Sequence, residues 1–67
     1  MDVRERLARN VNELRHQRGW SQERLAEEVG VHRTYASDVC RGTRNPTITI
    51  VAKFAKAFGV SAGTLLD

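Results

Sequence analysis

A chain of 67 residues has room for one small domain, and a domain of about 60 residues buries only about 60% of its unfolded surface. Eleven Lys and Arg residues outnumber eight Asp and Glu residues, and the net charge of +3 favours a partner rich in negative charge. The single cysteine excludes an internal disulfide bond, and no apolar run approaches the ~20 residues of a membrane-spanning helix. We therefore expect residues 1–67 to form one domain of a cytoplasmic protein without a membrane partner.

Apolar residues recur at helical spacing from Asp2 to about Arg18. They predict an amphipathic helix with one buried stripe, formed by Val3, Leu7, Val11 and Leu14. Gly19 is placed to end this helix. Ser21 is a good N-cap for a second helix, which is predicted from about Gln22 to Val29.

Gly30 separates the second helix from a third, which is predicted from about Arg33 to Arg41 and ends at Gly42. Glycine adopts the left-handed conformation that ends many helices. His32 is the expected N-cap of the third helix, although histidine is a weaker cap than Ser or Thr. Two short helices joined by a tight glycine turn form a helix-turn-helix, whose second helix can enter the major groove of DNA.

A loop rich in turn-forming residues follows the third helix and leads to Thr47, which is placed to cap a fourth helix from Ile48 to Phe58. The buried stripe expected for this helix consists of Ile48, Val51, Phe54, Ala55 and Phe58. Ser61 is placed to cap a short fifth helix that runs through Leu66. Five helices without a strand pattern predict an all-α domain, with the helix-turn-helix at the second and third helices.

The helix-turn-helix segment also carries the signs of a known family. The spacing is kept by Gln22, Ala26, Gly30 and Val39, and the typical phrases are Ser21-Gln22-Glu23, Arg41-Gly42 and Arg44-Asn45-Pro46-Thr47. In these features the chain resembles lambda-repressor/Cro-type helix-turn-helix proteins, also called the Xre family, over nearly its whole length. The resemblance implies a five-helix lambda-repressor-like DNA-binding domain in a sequence-specific transcriptional regulator. The small size is similar to that of controller proteins of restriction-modification systems and of small phage or plasmid repressors.

The resemblance carries family roles to matching residues. Gln22 looks like the family glutamine that touches a phosphate of double-stranded DNA and braces the recognition helix. That helix begins with Arg33 and Thr34, which point at base edges; Arg33 suits a bidentate contact with guanine, and Thr34 suits thymine. Ser37, one turn further on, is the next residue to face the groove. Nearer the DNA backbone we expect His32, Tyr35, Arg41, Arg44 and Asn45. For Tyr35, packing in the core is an equally open interpretation.

Two positions depart from the family pattern. Similar domains often pair an arginine at the position of Arg15 with a glutamate where this chain has Cys40. Arg15 is therefore left to a phosphate or to another acid, and Cys40 is expected to be a small buried residue. Ala36 stands where the family usually has a larger aliphatic residue, which lets the helices approach closely or leaves a gap for Trp20 or Phe54.

The resemblance further implies a homodimer, joined through the fourth and fifth helices, that binds a palindromic operator. An apolar patch suited to a two-fold interface is expected from Ile50, Leu65 and Leu66. The alternative function is an antitoxin-type module that binds a partner toxin and binds DNA secondarily.

The sequence contains no pattern typical of a catalytic or metal-binding site. There is no glycine-rich phosphate loop or nucleophile motif, so we expect no enzyme and no cofactor. His16, His32 and Cys40 lack the paired spacing of a zinc site, so we expect no metal. We also expect no small-molecule ligand.

Overall fold

Five α-helices follow one another in the computed structural model, which describes residues 2–67. They are α1 (Val3–Gln17), α2 (Gln22–Val29), α3 (Arg33–Arg41), α4 (Ile48–Phe58) and α5 (Ala62–Leu66). The all-α prediction is confirmed, and the predicted helix limits agree with the structure to within about one residue. α3 packs against α1 and α2, while α5 packs against α1 and α4. Within residues 2–67, none of the helices has the length and apolar character needed to cross a membrane.

Local capping sets the beginnings of the helices. Each predicted N-cap has an extended backbone, and its side chain accepts a hydrogen bond from an N–H of the first turn; these caps are Ser21, His32, Thr47 and Ser61. The bonds satisfy backbone donors that the first turn of a helix leaves unpaired. Gly30 and Gly42 end α2 and α3 with φ values of 84° and 74°, which favour glycine. Both ends of α3 are therefore defined by residues close to it in sequence.

The centre of the core lies between all five helices. Its largest fully buried side chains are Phe54, Leu25, Leu65, Val11 and Val39. Ala36 is fully buried in the same cluster. The neighbouring elements therefore cover α3 at this position although the alanine side chain is small. Trp20 stacks on Phe58 with ring centroids 5.4 Å apart and interplanar angle 20°. Because Ala36 faces the core, the opposite face of α3 points outward.

Two apolar residues that were predicted to be buried are exposed. The exposed fraction is 83% for Ile48 and 43% for Val3, so the prediction of burial is wrong for both. Each is the first residue of its helix. Because helical side chains tilt towards the N-terminus, a side chain at the first position projects beyond the helix and past the elements that cover the next turn. Both residues keep the correct helical phase and nevertheless lie outside the core.

Arg15 pairs with two oxygens that belong to uncharged groups, and not with the acid that was one of its two expected partners; a phosphate contact stays a prediction. It donates to the backbone carbonyl of Trp20 at 2.9 Å and to Oδ1 of Asn12 at 3.2 Å. Asn12 in turn donates to the carbonyl oxygen of Cys40 at 2.8 Å. Cys40 is buried, as predicted, and burial raises the pKa of its thiol although the nearby guanidinium of Arg15 opposes the shift. A neutral thiol thus stands where the resemblance implies a carboxylate.

Candidate nucleic-acid interface

A groove of about 360 Å³ lies between the start of α2 and the outward face of α3. Its lining residues are Gln22, Glu23, Arg33, Thr34, Ser37, Asp38 and Arg41. On α3 these positions are two adjacent pairs and Arg41, which recur three and four residues apart, so they share one broad face of the helix. The groove brings together five of the residues predicted to bind DNA, one from α2 and four from α3.

The N-terminal end of α3 presents its polar side chains to solvent. The side chain of Arg33 is 70% exposed, and its Nη1 lies 3.6 Å from Oε2 of Glu23 on α2. An exposed ion pair of this kind contributes little, typically below about 1 kcal/mol, so Arg33 is readily released to another acceptor. Thr34 is exposed beside it, and Ser37 is half-buried one turn later. Two hydroxyls and one guanidinium therefore line the groove at the start of α3.

His32 serves α3 as a cap. Its Nδ1 accepts a hydrogen bond from the backbone N–H of Thr34 at 3.0 Å, and the residue is exposed. Because Nδ1 is the acceptor, the ring proton of the neutral imidazole lies on Nε2. The ring thus fixes the start of α3 and leaves one N–H donor on an exposed residue.

The C-terminal end of α3 carries a cluster in which one carboxylate holds two arginines. Asp38 accepts a hydrogen bond from Arg41 at Oδ1 and from Arg44 at Oδ2, the latter at 2.8 Å. The guanidinium carbon of Arg44 also stands 4.5 Å from the centroid of the Tyr35 ring, a cation–π contact. Tyr35 is half-buried and packs against the core. We call Tyr35, Asp38, Arg41 and Arg44 the arginine cluster.

Two acidic residues of this surface were missing from the predicted site: Glu23, which pairs with Arg33, and Asp38. Asp38 has the larger structural role. Its backbone carbonyl accepts hydrogen bonds from the N–H and the hydroxyl of Thr43 at 3.1 and 3.2 Å, which fixes the loop after α3. The hydrogen bond from Arg44 lowers the pKa of the Asp38 carboxyl, and the charge of Arg41 adds to this effect. The spacing of Asp38 and Arg41, three residues apart on a helix, was a signal that could have indicated the pair.

Asn45 lies at a different surface from the groove. It borders an apolar cleft of about 160 Å³, lined by Val3, Arg4, Leu7, Asn45, Pro46, Ile48, Val51 and Leu66. The structure thus separates Asn45 from Arg44, its neighbour in sequence, which belongs to the arginine cluster.

The residues expected at a dimer interface also differ in exposure. Leu65 is fully buried in the core, so its assignment to an interface is corrected. The cause is that α5 packs its one buried side chain against α1 and α4. Ile50 is half-buried and packs on the core, and Leu66 is half-buried at the edge of the apolar cleft. The exposed apolar surface of this region belongs chiefly to Ile48 and Val3.

Comparison with known proteins agrees with the fold. The family model HTH_3, described as Helix-turn-helix, matches residues 11–65. Control protein C.SmaI of Serratia marcescens is 46% identical over 66 residues, which cover 98% of this chain and 79% of that protein. Control protein C.BamHI of Bacillus amyloliquefaciens is 53% identical over 47 residues, covering 70% of this chain and 58% of that protein.

Solved structures show the same arrangement of helices. The hypothetical transcription factor NHTF from Neisseria superimposes with a TM-score of 0.94 at 44% identity, covering 98% of this chain and 76% of that one. The restriction-modification controller protein C.AhdI from Aeromonas hydrophila superimposes with a TM-score of 0.83 at 35% identity, covering 90% and 91%. The chain therefore belongs to the helix-turn-helix family of DNA-binding transcriptional regulators, which are not enzymes.

Proposed function

We propose that this chain is a controller-type regulator in the cytoplasm that binds a palindromic operator as a homodimer and places α3 in the major groove. The observation that carries the proposal is the groove, because it collects polar side chains from α2 and from one face of α3. Two relatives with high identity bear the name control protein. None of the relatives named above is described as an antitoxin, so the alternative function has no support from them.

The proposed contacts divide along α3. Arg33 and Thr34 at the exposed start of the helix, and Ser37 after them, meet base edges. Gln22 stands across the groove and contacts a phosphate while it supports α3. At the other end of α3, the guanidiniums of Arg41 and Arg44 meet phosphates, which position the protein without selecting a sequence. His32 contributes its outward N–H to the backbone contacts, and Asn45 contacts the backbone from its separate surface.

The proposed dimer uses the apolar cleft and the surface next to it. Ile48 and Val3 are the exposed large apolar residues of the described chain, and both line the cleft together with Leu66. Ile50 contributes its exposed edge. A two-fold contact would pair each cleft with the same surface of the partner and set the two α3 helices about one DNA turn, roughly 34 Å, apart.

Selection from random DNA followed by a gel-shift titration tests this function. The wild type should select an inverted repeat, and Arg33→Ala should lose about 1–3 kcal/mol of binding free energy, or roughly 5- to 150-fold, on the selected duplex. The discrimination should relax at one base pair of each half-site. Lys56→Ala removes an exposed cation on α4 outside the groove and serves as the control. Equal affinity of Arg33→Ala and wild type for the selected duplex would refute the proposed role of α3.

A further inference from the structure

Asp38 places a negative charge among the cations that face phosphate in the proposed complex. Its side chain is only 17% exposed, and both carboxylate oxygens are occupied by guanidinium groups. The hydrogen bond from Arg44 lowers the pKa of this carboxyl, so Asp38 is ionised at neutral pH. The carboxylate and the two guanidiniums together carry one net positive charge where the two arginines alone would carry two.

The bonds to Asp38 leave most of the donors of both arginines unused. A guanidinium has five N–H donors in a planar fork, and each arginine gives Asp38 one nitrogen, Nη2. The remaining donors make no hydrogen bond to the carboxylate, so they can bind a phosphate oxygen while the bond to Asp38 persists. The cation–π contact with Tyr35 restrains the guanidinium of Arg44 as well. The largely buried carboxylate thus orients both arginines before any partner arrives, and Tyr35 adds a second restraint on Arg44.

We propose that Asp38 is a positioning residue that holds Arg41 and Arg44 in the register of two operator phosphates and thereby helps to distinguish the operator from other DNA. This inference rests on the proposed function. Two effects combine: the carboxylate reduces the charge that attracts any duplex, and the fixed geometry favours the duplex whose phosphates lie in register when α3 is seated on its bases.

Removal of the charge should separate these effects. Asp38→Asn keeps the size of the side chain and releases both guanidiniums from the ion pair. Affinity for a duplex of random sequence should rise about three- to ten-fold at low salt, and the slope of log affinity against log salt should steepen by up to about one. Affinity for the selected duplex should rise less or fall, because the arginines lose their fixed geometry. The ratio of the two affinities should therefore fall at least about threefold.

The experiment measures both affinities by fluorescence anisotropy at several salt concentrations, with duplexes of two helical turns, about 21 base pairs. Glu13→Gln, which removes an exposed carboxylate on α1, is the matched control for net charge. It should change both affinities together and leave their ratio unaltered. Asp38→Ser is measured alongside as a second way of removing the carboxylate, and circular dichroism confirms that the variants fold.

A double-variant background tests whether the arginines carry the effect. In Arg41→Gln/Arg44→Gln, the further change Asp38→Asn should leave the affinity ratio unaltered. The proposal is overturned if Asp38→Asn and Asp38→Ser keep the wild-type ratio, or if the ratio falls equally without the two arginines. If the wild type selects no sequence, the proposed function and this inference are both overturned. If it selects a sequence, the proposed function stands and the affinity ratios of the Asp38 variants test this inference separately.

Discussion

Replacing Ile48 by lysine tests the proposed dimer without disturbing the protomer. The side chain is 83% exposed in the protomer, so nearly all of its apolar surface is available to a partner. Full burial of an isoleucine contributes about 1.5–3 kcal/mol, and a two-fold interface contains the residue twice. We therefore expect Ile48→Lys to weaken the dimer by about 3–6 kcal/mol, which is roughly 10²- to 10⁴-fold in the dissociation constant.

Sedimentation equilibrium over a range of protein concentrations measures this constant directly. Gln17→Lys introduces the same charge at the opposite end of α1 from Val3, on an exposed residue outside the apolar cleft, and should leave the dimer unchanged. Urea unfolding of the dissociated protein should give similar stabilities for both variants. If Ile48→Lys dissociates at the same concentration as the wild type, Ile48 does not lie in the interface and the proposed use of the cleft is wrong.

Three further predictions concern the ends of α3. His32→Ala removes the acceptor of the Thr34 N–H and should cost about 1 kcal/mol in urea unfolding, whereas His32→Asn should retain most of the cap. In Gly42→Ala the added Cβ meets that of Ala8 at an ordinary 3.6 Å, so a loss of about 1–2 kcal/mol in unfolding free energy should arise from the positive φ alone. Gly42→Asn should lose less, because asparagine tolerates the left-handed conformation better than alanine. Equal losses for the two variants would contradict an origin in the backbone conformation. The raised pKa of the buried Cys40 thiol contributes stability that is complete below its unfolded pKa and is lost as pH rises towards the raised value. Unfolding free energy should therefore fall with pH in this alkaline window in the wild type and less steeply in Cys40→Ala.

The helices and their order could be predicted because their signals act over a few residues. A serine cap such as Ser21 or a left-handed glycine such as Gly30 determines a helix end without help from distant parts of the chain. Periodicity identified the phase of Ile48 correctly, but phase does not tell where the neighbouring helices stop covering the surface. Exposure at the first residue of a helix depends on tertiary packing, which the local pattern does not contain.

The candidate site could also be predicted only as far as local spacing rules reach. The positions of Arg33, Thr34 and Ser37 on one face follow from helical spacing alone. The role of Asp38 does not, because Arg44 reaches it only after the chain has turned back at Gly42. A pair that spans a helix and the following loop requires the loop conformation. Spacing rules therefore identify the residues that share one helical face more easily than they identify an ion pair between a helix and the loop that follows it.

The replacement of the family's glutamate by Cys40 raises the question of how α3 is held in place. Two side chains of α1 hold the ends of the helix-turn-helix: Arg15 binds the carbonyl of Trp20 before α2, and Asn12 binds the carbonyl of Cys40 near the end of α3. A hydrogen bond of 3.2 Å between Arg15 and Asn12 links these two ties. Both accepting groups belong to the backbone, so the residue type at position 40 does not decide whether they form. The orientation of α3 is thus supported by α1 through the main chain, and these ties do not require a carboxylate at position 40.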